Sequence, residues 1–296
     1  MRRARFPLAA PWAAAAILLF AWGGFSDCVR AETGRGSRDR QPEVMSGDFR
    51  GLVVTLVADR ALVQSWLPQG LVLASDTPLP QHPVIVMFGV QQNIARTKRV
   101  TRYPRGMQDY LETLIAIPFL KMVQQPNGPP VLHFARVYLN SWPATTQGIK
   151  RFGWPKVYTD LAWSDAGYRI GREPVFVAQA AAAEPPPVDF NEPSLHRLRE
   201  MLSQPLVLKH EGRFEVYDFD FHFETAAIKP AAVELEIREG FMPRVAPRAV
   251  SVPSIADEPY GAFHFDCHFT KVAMDYEDDR RPREESGGPP ELALGR

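Results

Sequence analysis

The sequence has little cysteine and no excess of charge of either sign. Its 296 residues include two cysteines, and 34 basic side chains are balanced by 34 acidic ones. Because phosphate binding requires a surplus of Lys and Arg on one face, we expect no nucleic-acid partner. The G-x-G-x-x-G and phosphate-loop motifs of nucleotide-binding proteins and the G-x-S-x-G motif of hydrolases are also missing, so neither class is indicated.

The amino-terminal residues have the pattern of an export signal. Arg2, Arg3 and Arg5 precede an apolar, Ala-rich stretch at residues 6–25, and the segment 29–31 ends in the small residue that an export peptidase accepts. We interpret residues 1–31 as a cleaved signal peptide and expect an exported protein, periplasmic or secreted. The alternative is an uncleaved membrane anchor, because the apolar stretch approaches spanning length.

Cleavage would leave a mildly acidic chain with one cysteine. It would remove four arginines and one aspartate, which changes the net charge from 0 to −3, and only Cys267 would remain. A single cysteine cannot form an internal disulfide, even in an oxidising compartment. The mature protein must therefore rely on a hydrophobic core, which a chain of this length can build, and we expect no stable membrane insertion.

Segments rich in proline and charge mark the limits of one domain. We expect a flexible N-terminal segment at residues 32–47, a domain at residues 48–276 and a disordered C-terminal tail at residues 277–296. Residues 180–193 contain three consecutive prolines, and we interpret them as a surface loop because the strand pattern continues after them.

Short runs rich in Val, Ile, Phe and Tyr fill the domain and predict an antiparallel sheet that curves or closes. Two helices are expected, one at residues 59–66 and one at residues 194–203 that Ser194 caps. Residues 217–224 alternate phenylalanine with acidic residues and histidine; we favour a solvated polar face over an acid-lined barrel interior. The ten strand-like runs are residues 51–58, 83–90, 111–122, 130–139, 157–163, 174–178, 205–210, 214–224, 232–237 and 260–272.

One lysine stands in an unusual local sequence. The chain leaves a predicted strand, passes through a bend that contains Pro and Gly, and re-enters a strand at Trp154-Pro155-Lys156-Val157. Trp154 and Val157 would strip water from the Lys156 amine, and desolvation lowers a lysine pKa and leaves a neutral amine able to attack a carbonyl. Only seven of the 34 basic residues are lysines, and arginine cannot supply a deprotonated amine. The alternative is that Lys156 is one more surface charge.

The segment around Lys156 follows the pattern of a known family. Tyr138, Pro143, Gly148, Pro155 and Lys156 match, in order and without a gap, a tyrosine-rich strand, a glycine ten residues later and an aromatic-Pro-Lys sequence. The segment resembles the active-site region of the acetoacetate decarboxylase family. The resemblance implies that Lys156 forms a Schiff base with a substrate.

Two further matches extend the resemblance over roughly residues 48–275. Tyr110-Leu111-Glu112, followed by Ile117-Pro118, is similar to the family's Tyr-x-Glu segment with its downstream proline. The carboxylate of that segment faces the lysine in the family, so the resemblance implies a catalytic Glu112. Residues 59–68 are similar to a helix that ends in proline near the start of the domain.

The resemblance also implies a fold and a set of residues around the substrate. The fold would be α+β and mainly antiparallel β, with a large, cone-shaped β-barrel, a few peripheral helices and a closed pocket for the lysine. Trp154 and Val157 would form an apolar wall, Tyr110 would bind the substrate, and Arg50 is the nearest counterpart of the family's active-site arginine. The resemblance implies a homo-oligomer and no cofactor.

The sequence departs from the family at two positions in the pocket. The second lysine that follows the Schiff-base lysine in the family's decarboxylases is Val157 here, and a further glutamate expected at residues 86–89 is missing. Lys150 and Arg151 are possible substitutes, although an extended chain would place them ~17 Å away. A register with these two on the family's lysine pair requires a gap and abandons the aromatic-Pro-Lys match, so we reject it.

An imine on Lys156 would act as an electron sink for decarboxylation, aldol chemistry or dehydration. We therefore expect a cofactor-independent lyase that acts on a small β-keto or α-keto acid, with Glu112 orienting the substrate or moving a proton. The alternative is a protein that keeps the barrel and only binds a small ligand. Val157, the missing glutamate and the export signal favour this alternative, whereas Lys156 and Glu112 favour the enzyme.

Histidine and cysteine form one more group near the carboxyl terminus. On a strand His264, Asp266 and His268 share one face, and Cys267 lies on the other, so these residues cannot ligate one ion together. His222 could in principle join the two histidines around zinc, but close-spaced ligand patterns are missing. We expect no metal.

The export signal makes a direct prediction. When the complete chain is produced in a bacterial host, we expect the mature protein to begin at Glu32, because residues 29–31 form the cleavage site. Intact-mass measurement and cell fractionation check this. A chain that keeps residues 1–31 and sediments with membranes would support the anchor instead.

Overall fold

The computed structural model describes residues 44–75, 81–97, 108–164, 167–171, 176–180, 187, 189, 195–258 and 260–274. The expected signal peptide at residues 1–31 and the C-terminal tail at residues 277–296 lie outside the described residues, as does most of the proposed loop at residues 180–193. None of the described helices is long and apolar enough to cross a membrane.

Strands dominate the described residues, and their helices are short. The helices are α1 (Arg60–Gln64), α2 (Trp142–Phe152) and α3 (His196–Leu202), with a 3₁₀ turn at Phe223–Thr225. The strands are β1 (Val44–Ala58), β2 (Leu71–Leu73), β3 (His82–Thr97), β4 (Tyr110–Met122), β5 (Val131–Leu139), β6 (Lys156–Tyr158), β7 (Leu161–Ser164), β8 (Gly167–Ile170), β9 (Phe176–Ala180), β10 (Leu206–His210), β11 (Arg213–Asp220), β12 (Ala227–Pro230), β13 (Val233–Ile237), β14 (Arg248–Val252) and β15 (Phe263–Met274).

Seven strands of the larger sheet pair into a closed ring. Their order is β4, β3, β1, β15, β11, β10 and β5, and the pairing of β5 with β4 closes it. Within the ring the β10–β5 pair is parallel, whereas the other pairs are antiparallel. This arrangement confirms the predicted α+β fold, mainly antiparallel and closing on itself. β6 extends the sheet beside β5, in parallel.

The ring of strands separates two cores, and a second sheet of five strands, in the order β14, β13, β9, β8 and β7, contributes side chains to one of them. Successive residues of a strand point to opposite faces, so each ring strand feeds both cores. On β1, Phe49 and Val53 belong to one hydrophobic cluster, whereas Leu52 and Val54 belong to another that also contains Leu235 of the second sheet. The cluster that contains Phe49 and Val53, called the first hydrophobic cluster below, surrounds the candidate site.

All ten predicted runs contain strands, but several expectations need correction. β1 begins at Val44, so residues 44–47 are not part of a flexible segment. The predicted bend before Lys156 is wrong, because residues 142–152 form α2. Ser141 caps this helix by accepting a hydrogen bond from the Ala144 amide, and a proline is favourable in a first helical turn.

The two predicted helices are present, with different ends. Asp59 caps α1 by accepting hydrogen bonds from the amides of Ala61 and Leu62. α3 has Leu195 at its cap position without a side-chain hydrogen bond, and Ser194 lies outside the described residues. Neither helix contributes a side chain to the cavity described below.

The alternating segment at residues 217–224 has its polar face outside the ring. Asp218 and Asp220 are exposed, and Phe219 and Phe221 are buried in the core. The preferred interpretation is therefore confirmed, and the strand ends at Asp220 because His222 adopts a left-handed backbone with φ 43°.

Two buried histidines make the fold sensitive to acid. The His82 imidazole is fully buried and donates a hydrogen bond to the Pro118 carbonyl, 2.8 Å away. Burial lowers the pKa of His82 to about 4 from a usual value of 6.5. Burial also lowers the pKa of His133, which donates to the Val207 carbonyl. Protonation of either ring would place an uncompensated charge in the core.

We expect stability to fall as the pH falls below neutral. Because the pKa of His82 is lower in the folded than in the unfolded chain, its contribution is complete above pH 6.5 and is lost toward pH 4. The loss amounts to about 2 kcal/mol by pH 5. Urea unfolding at pH 7 and pH 5 measures it. His82→Gln should weaken the pH dependence, whereas exposed His196→Gln should not; an unchanged dependence in His82→Gln would contradict the assignment.

Candidate functional site

A cavity of about 40 Å³ lies within the first hydrophobic cluster. Most of its wall is apolar and aromatic, so a ligand inside it would be largely removed from water. Its small volume limits it to small molecules. The polar and ionisable side chains in the wall are Gln91, Tyr110, Glu112, Trp154, Lys156 and Lys271.

The end of α2 delivers Lys156 to this cavity. Gly153 ends the helix in a left-handed conformation with φ 61°, and the Trp154 amide bonds back to the Gly148 carbonyl at 3.2 Å. Pro155 begins the segment that runs beside β5. The Pro155 carbonyl accepts a hydrogen bond from the Val137 amide. The Lys156 side chain is only 8% exposed.

The Lys156 amine has polar and aromatic neighbours. Its Nζ lies 4.0 Å from Glu112 Oε2 and donates a hydrogen bond to the Ala144 carbonyl at 3.4 Å. Nζ is also 4.9 Å from the centroid of the Trp154 ring and 6.0 Å from that of Tyr110. The amine therefore combines an apolar setting with one carboxyl group within reach.

Glu112 is held in place on β4. Its side chain is 5% exposed, and Gln91 Nε2 donates a hydrogen bond of 3.1 Å to its Oε1. Burial raises the pKa of the Glu112 carboxyl, while Lys156, the Gln91 hydrogen bond and Lys271 act in the opposite direction. A carboxyl with a raised pKa keeps its proton to a higher pH than a free one does, which suits an acid-base group.

A second lysine, which the sequence analysis missed, lies in the same wall. Lys271 on β15 is 4% exposed, although lysine is rarely buried. Its Nζ lies 4.5 Å from the Trp154 ring centroid, 4.6 Å from that of Phe152 and 4.3 Å from that of Tyr217. Three aromatic rings therefore surround the Lys271 amine, an arrangement that attracts a cation.

Four of the predicted site residues come together and two do not. Lys156, Glu112, Trp154 and Tyr110 line one cavity. Val157 does not form its wall, because neighbours on a strand point to opposite faces and Val157 is 38% exposed.

The structure also places Arg50 outside the cavity. Arg50 is exposed on β1, and its guanidinium lies 5.2 Å from the ring centroid of Trp163. It follows Phe49, which faces the cavity, so Arg50 points to the opposite side of the strand. Lys150 is exposed on α2 and does not line the cavity either.

The histidines and cysteine of β15 alternate as expected. Cys267 is buried, Asp266 and His268 are exposed, and His264 is partly exposed. Among the described residues, no group of three or more His, Cys, Asp and Glu side chains is arranged to hold a metal ion. His268 instead donates to Asp48 Oδ1 at 2.8 Å.

The chain is similar to solved structures but to no sequence family. No protein-family model and no curated protein matches it. The enduracididine biosynthesis enzyme MppR, with HEPES buffer bound, superposes with a TM-score of 0.51 at 15% identity over 79% of this chain and 86% of that one. The same enzyme complexed with the condensation product of pyruvate and imidazole 4-carboxaldehyde gives 0.50 at 15% identity, over 78% and 87%.

An acetoacetate decarboxylase from Legionella pneumophila is another similar structure. It superposes with a TM-score of 0.50 at 15% identity over 84% of this chain and 94% of that one. Together with the closed ring of strands, these similarities define the class: the chain has the acetoacetate decarboxylase-like fold.

Gly148 provides a test of how the lysine is held. A Cβ at this position would lie 2.5 Å from Cδ and 2.7 Å from Cε of Lys156, closer than atoms can approach. Gly148→Ala should therefore push the lysine stem out of place. Because alanine is the better helix former by about 1 kcal/mol, we expect little loss of overall stability.

We expect acetic anhydride to modify Lys156 several-fold faster in Gly148→Ala than in the wild type, as measured by peptide mass spectrometry. Gly128→Ala is the matched control, because its new Cβ would meet its nearest atom at 3.2 Å in a turn outside the cavity. Equal modification rates in the wild type and Gly148→Ala would show that the glycine does not position the lysine.

Proposed function

We propose that this protein is an exported, cofactor-independent lyase that forms an imine between Lys156 and a small keto acid. The observation that carries the proposal is the Lys156 amine in an apolar cavity, 4.0 Å from the buried carboxyl of Glu112. An amine that attacks a carbonyl must be unprotonated, and an apolar wall disfavours the ammonium form. The neighbouring carboxyl can take up and return the proton.

The chemistry needs only the groups in the cavity. The Lys156 nitrogen attacks the carbonyl carbon of the substrate, and the oxygen leaves as water to give a protonated imine. In a β-keto acid the bond to the carboxylate then breaks, carbon dioxide leaves, and its electron pair forms an enamine with the imine nitrogen as the sink. Protonation at carbon and hydrolysis of the imine release a ketone and restore the lysine.

The same imine supports bond formation with an aldehyde. Loss of a proton from the carbon beside the imine gives the enamine, which can add to a second carbonyl, and a carboxyl within reach can move that proton. The similar structures carry names that fit both directions: one is an acetoacetate decarboxylase, and another holds a condensation product of pyruvate and an aldehyde. We therefore propose the imine step. Experiment has to decide whether a carbon-carbon bond is then broken or formed.

A non-catalytic binding protein on the same fold is the second candidate. Val157 stands where the resemblance predicts a second lysine, and it points away from the cavity. Lys156 and Glu112 in one small cavity are the observation against it, since a purely apolar ligand would not require a buried amine and carboxyl.

Borohydride reduction with keto acids tests the imine. With pyruvate we expect a covalent adduct on the wild-type protein, with the mass of the keto acid after loss of water and gain of two hydrogens. With acetoacetate we expect either the corresponding adduct or, if carbon dioxide is lost before reduction, the adduct of acetone. Lys156→Ala should give no adduct, because the nucleophile is gone. Lys150→Ala, which removes an exposed lysine of α2, should react as the wild type does.

Folded protein that gives no adduct with any small keto acid would overturn the proposed function and favour the binding protein. If adducts form, Glu112→Gln separates enzyme from binder. The enzyme should lose turnover by about 10²- to 10⁴-fold, the range that acid-base groups contribute. A protein that forms the imine but is not an enzyme should release no product, either as the wild type or as Glu112→Gln.

A further inference from the structure

A keto acid brings a carboxylate into the cavity, and that charge has to be matched. An unpaired carboxylate in an apolar site costs several kcal/mol. The described ionisable groups of the wall, apart from the Tyr110 phenol, are two amines and one carboxyl: Lys156, Lys271 and Glu112. Besides Lys156, which the imine would occupy, Lys271 is the other described amine of the wall, and its ammonium form attracts an acid group.

Strand pairing fixes the position of Lys271 in the wall. It lies on β15, between its partners Met45 on β1 and Phe219 on β11, so its backbone is paired on both sides. The rings of Phe152, Trp154 and Tyr217 surround its Nζ at 4.3 to 4.6 Å. Rings of this kind attract an ammonium, and an ammonium carries three N–H donors that bind an anion more strongly than a neutral donor would.

A second donor lies beside this ammonium. Trp154 lines the cavity, and its indole Nε1 is buried without a hydrogen-bond partner among the described residues. A buried N–H that lacks a partner is uncommon in folded proteins and calls for an acceptor. The Trp154 ring also contacts both amines, with Lys156 Nζ 4.9 Å and Lys271 Nζ 4.5 Å from its centroid.

Glu112 and Gln91 present the opposite chemistry. Oε1 of Glu112 accepts from Gln91 Nε2, and the Gln91 Oε1 atom is a buried acceptor without a partner among the described residues. Acceptors repel a carboxylate, so this side of the cavity disfavours the acid group. The wall thus has an acceptor side and a donor side, with Lys156 in contact with both.

We propose that Lys271 and the indole N–H of Trp154 bind the carboxylate of the substrate, so that the cavity selects small keto acids over neutral ketones of the same size. This inference rests on the proposed function for the imine at Lys156. The carboxylate site itself consists of Lys271 and Trp154 and exists whether or not the imine forms. Neither residue reacts; both are binding residues.

Pairs of matched ligands test the selectivity. Pyruvate and butane-2,3-dione have the same number of heavy atoms, as do acetoacetate and pentane-2,4-dione, and each pair differs in the charge of one end. For each ligand, Lys156 adducts are trapped with borohydride and the half-saturating concentration is measured. In the wild type we expect each acid to saturate at a lower concentration than its neutral partner.

Lys271→Met keeps an apolar stem and removes the charge. We expect it to raise the half-saturating concentration of the acids about 10- to 100-fold, the value of one hydrogen bond to a charged group, and to change that of the diones less than twofold. Lys209→Met is the matched control, because Lys209 also contacts a ring, that of Phe214 at 5.7 Å, but lies outside the cavity. Equal weakening of acids and diones, or no weakening, would overturn the proposal.

Trp154→Phe gives an independent measurement if Lys271→Met does not fold. It removes the N–H and keeps an aromatic ring, so the acids should again weaken more than the diones. A variant that weakens neither ligand selectively would show that the indole N–H binds no carboxylate, and the proposal would fail.

Thermal unfolding of variants in the presence of a keto acid tests this inference separately from the proposed function. Lys156→Ala cannot form an imine, but its donors are intact, so pyruvate or acetoacetate should still raise its melting temperature. The shift should disappear in Lys156→Ala/Lys271→Met. If the wild type forms no imine and this shift persists, the proposed function fails and the carboxylate site stands. If the imine forms and no Lys271-dependent shift or selectivity is found, the carboxylate site fails alone.

Discussion

The pairing of β4 with β5 closes the ring, and the site depends on this closure. Glu112 on β4 lies opposite Leu139 of β5, and Lys156 on β6 lies opposite Val137 of the same strand. β5 is thus the common neighbour that sets the spacing of the amine and the carboxyl. Because the sheet closes there, both side chains enter an interior that apolar residues otherwise fill.

The cavity wall combines buried ionisable side chains with aromatic rings. The chain has 27 arginines and seven lysines, yet two of those lysines line one small cavity. Both amines lie against aromatic rings, and the Glu112 carboxyl lies 4.0 Å from one of them, Lys156. Both lysines lower the pKa of the Glu112 carboxyl, whereas burial raises it and has the larger effect.

Local sequence was sufficient for those parts of the site that lie on short motifs. Lys156, Glu112, Trp154 and Tyr110 were predicted from two segments, and the structure brings them to one cavity. The helix before Lys156 was missed because Pro143 was interpreted as part of a bend, although proline fits a first helical turn equally well. Val157 was placed in the wall although the two-residue period of a strand sends it outward.

Lys271 shows what a local motif cannot reveal. It is distant in sequence from Lys156, and only the pairing of β15 with β1 and β11 brings it to the cavity. One signal was present: along β15 the buried face runs through Phe265, Cys267 and Phe269 to position 271, so a lysine continues an apolar series. Lysine is rarely buried, so a lysine that continues an alternating apolar series is a pattern that can be recognised in a sequence.

Trp154 has a consequence for spectroscopy. Its indole is 7% exposed and touches both cavity lysines, whereas Trp142 is exposed on α2. Its excited state is therefore sensitive to any change in charge or bonding at the two amines. Because Trp154 lines the cavity, we expect its fluorescence to change when a ligand occupies the cavity, with no added label.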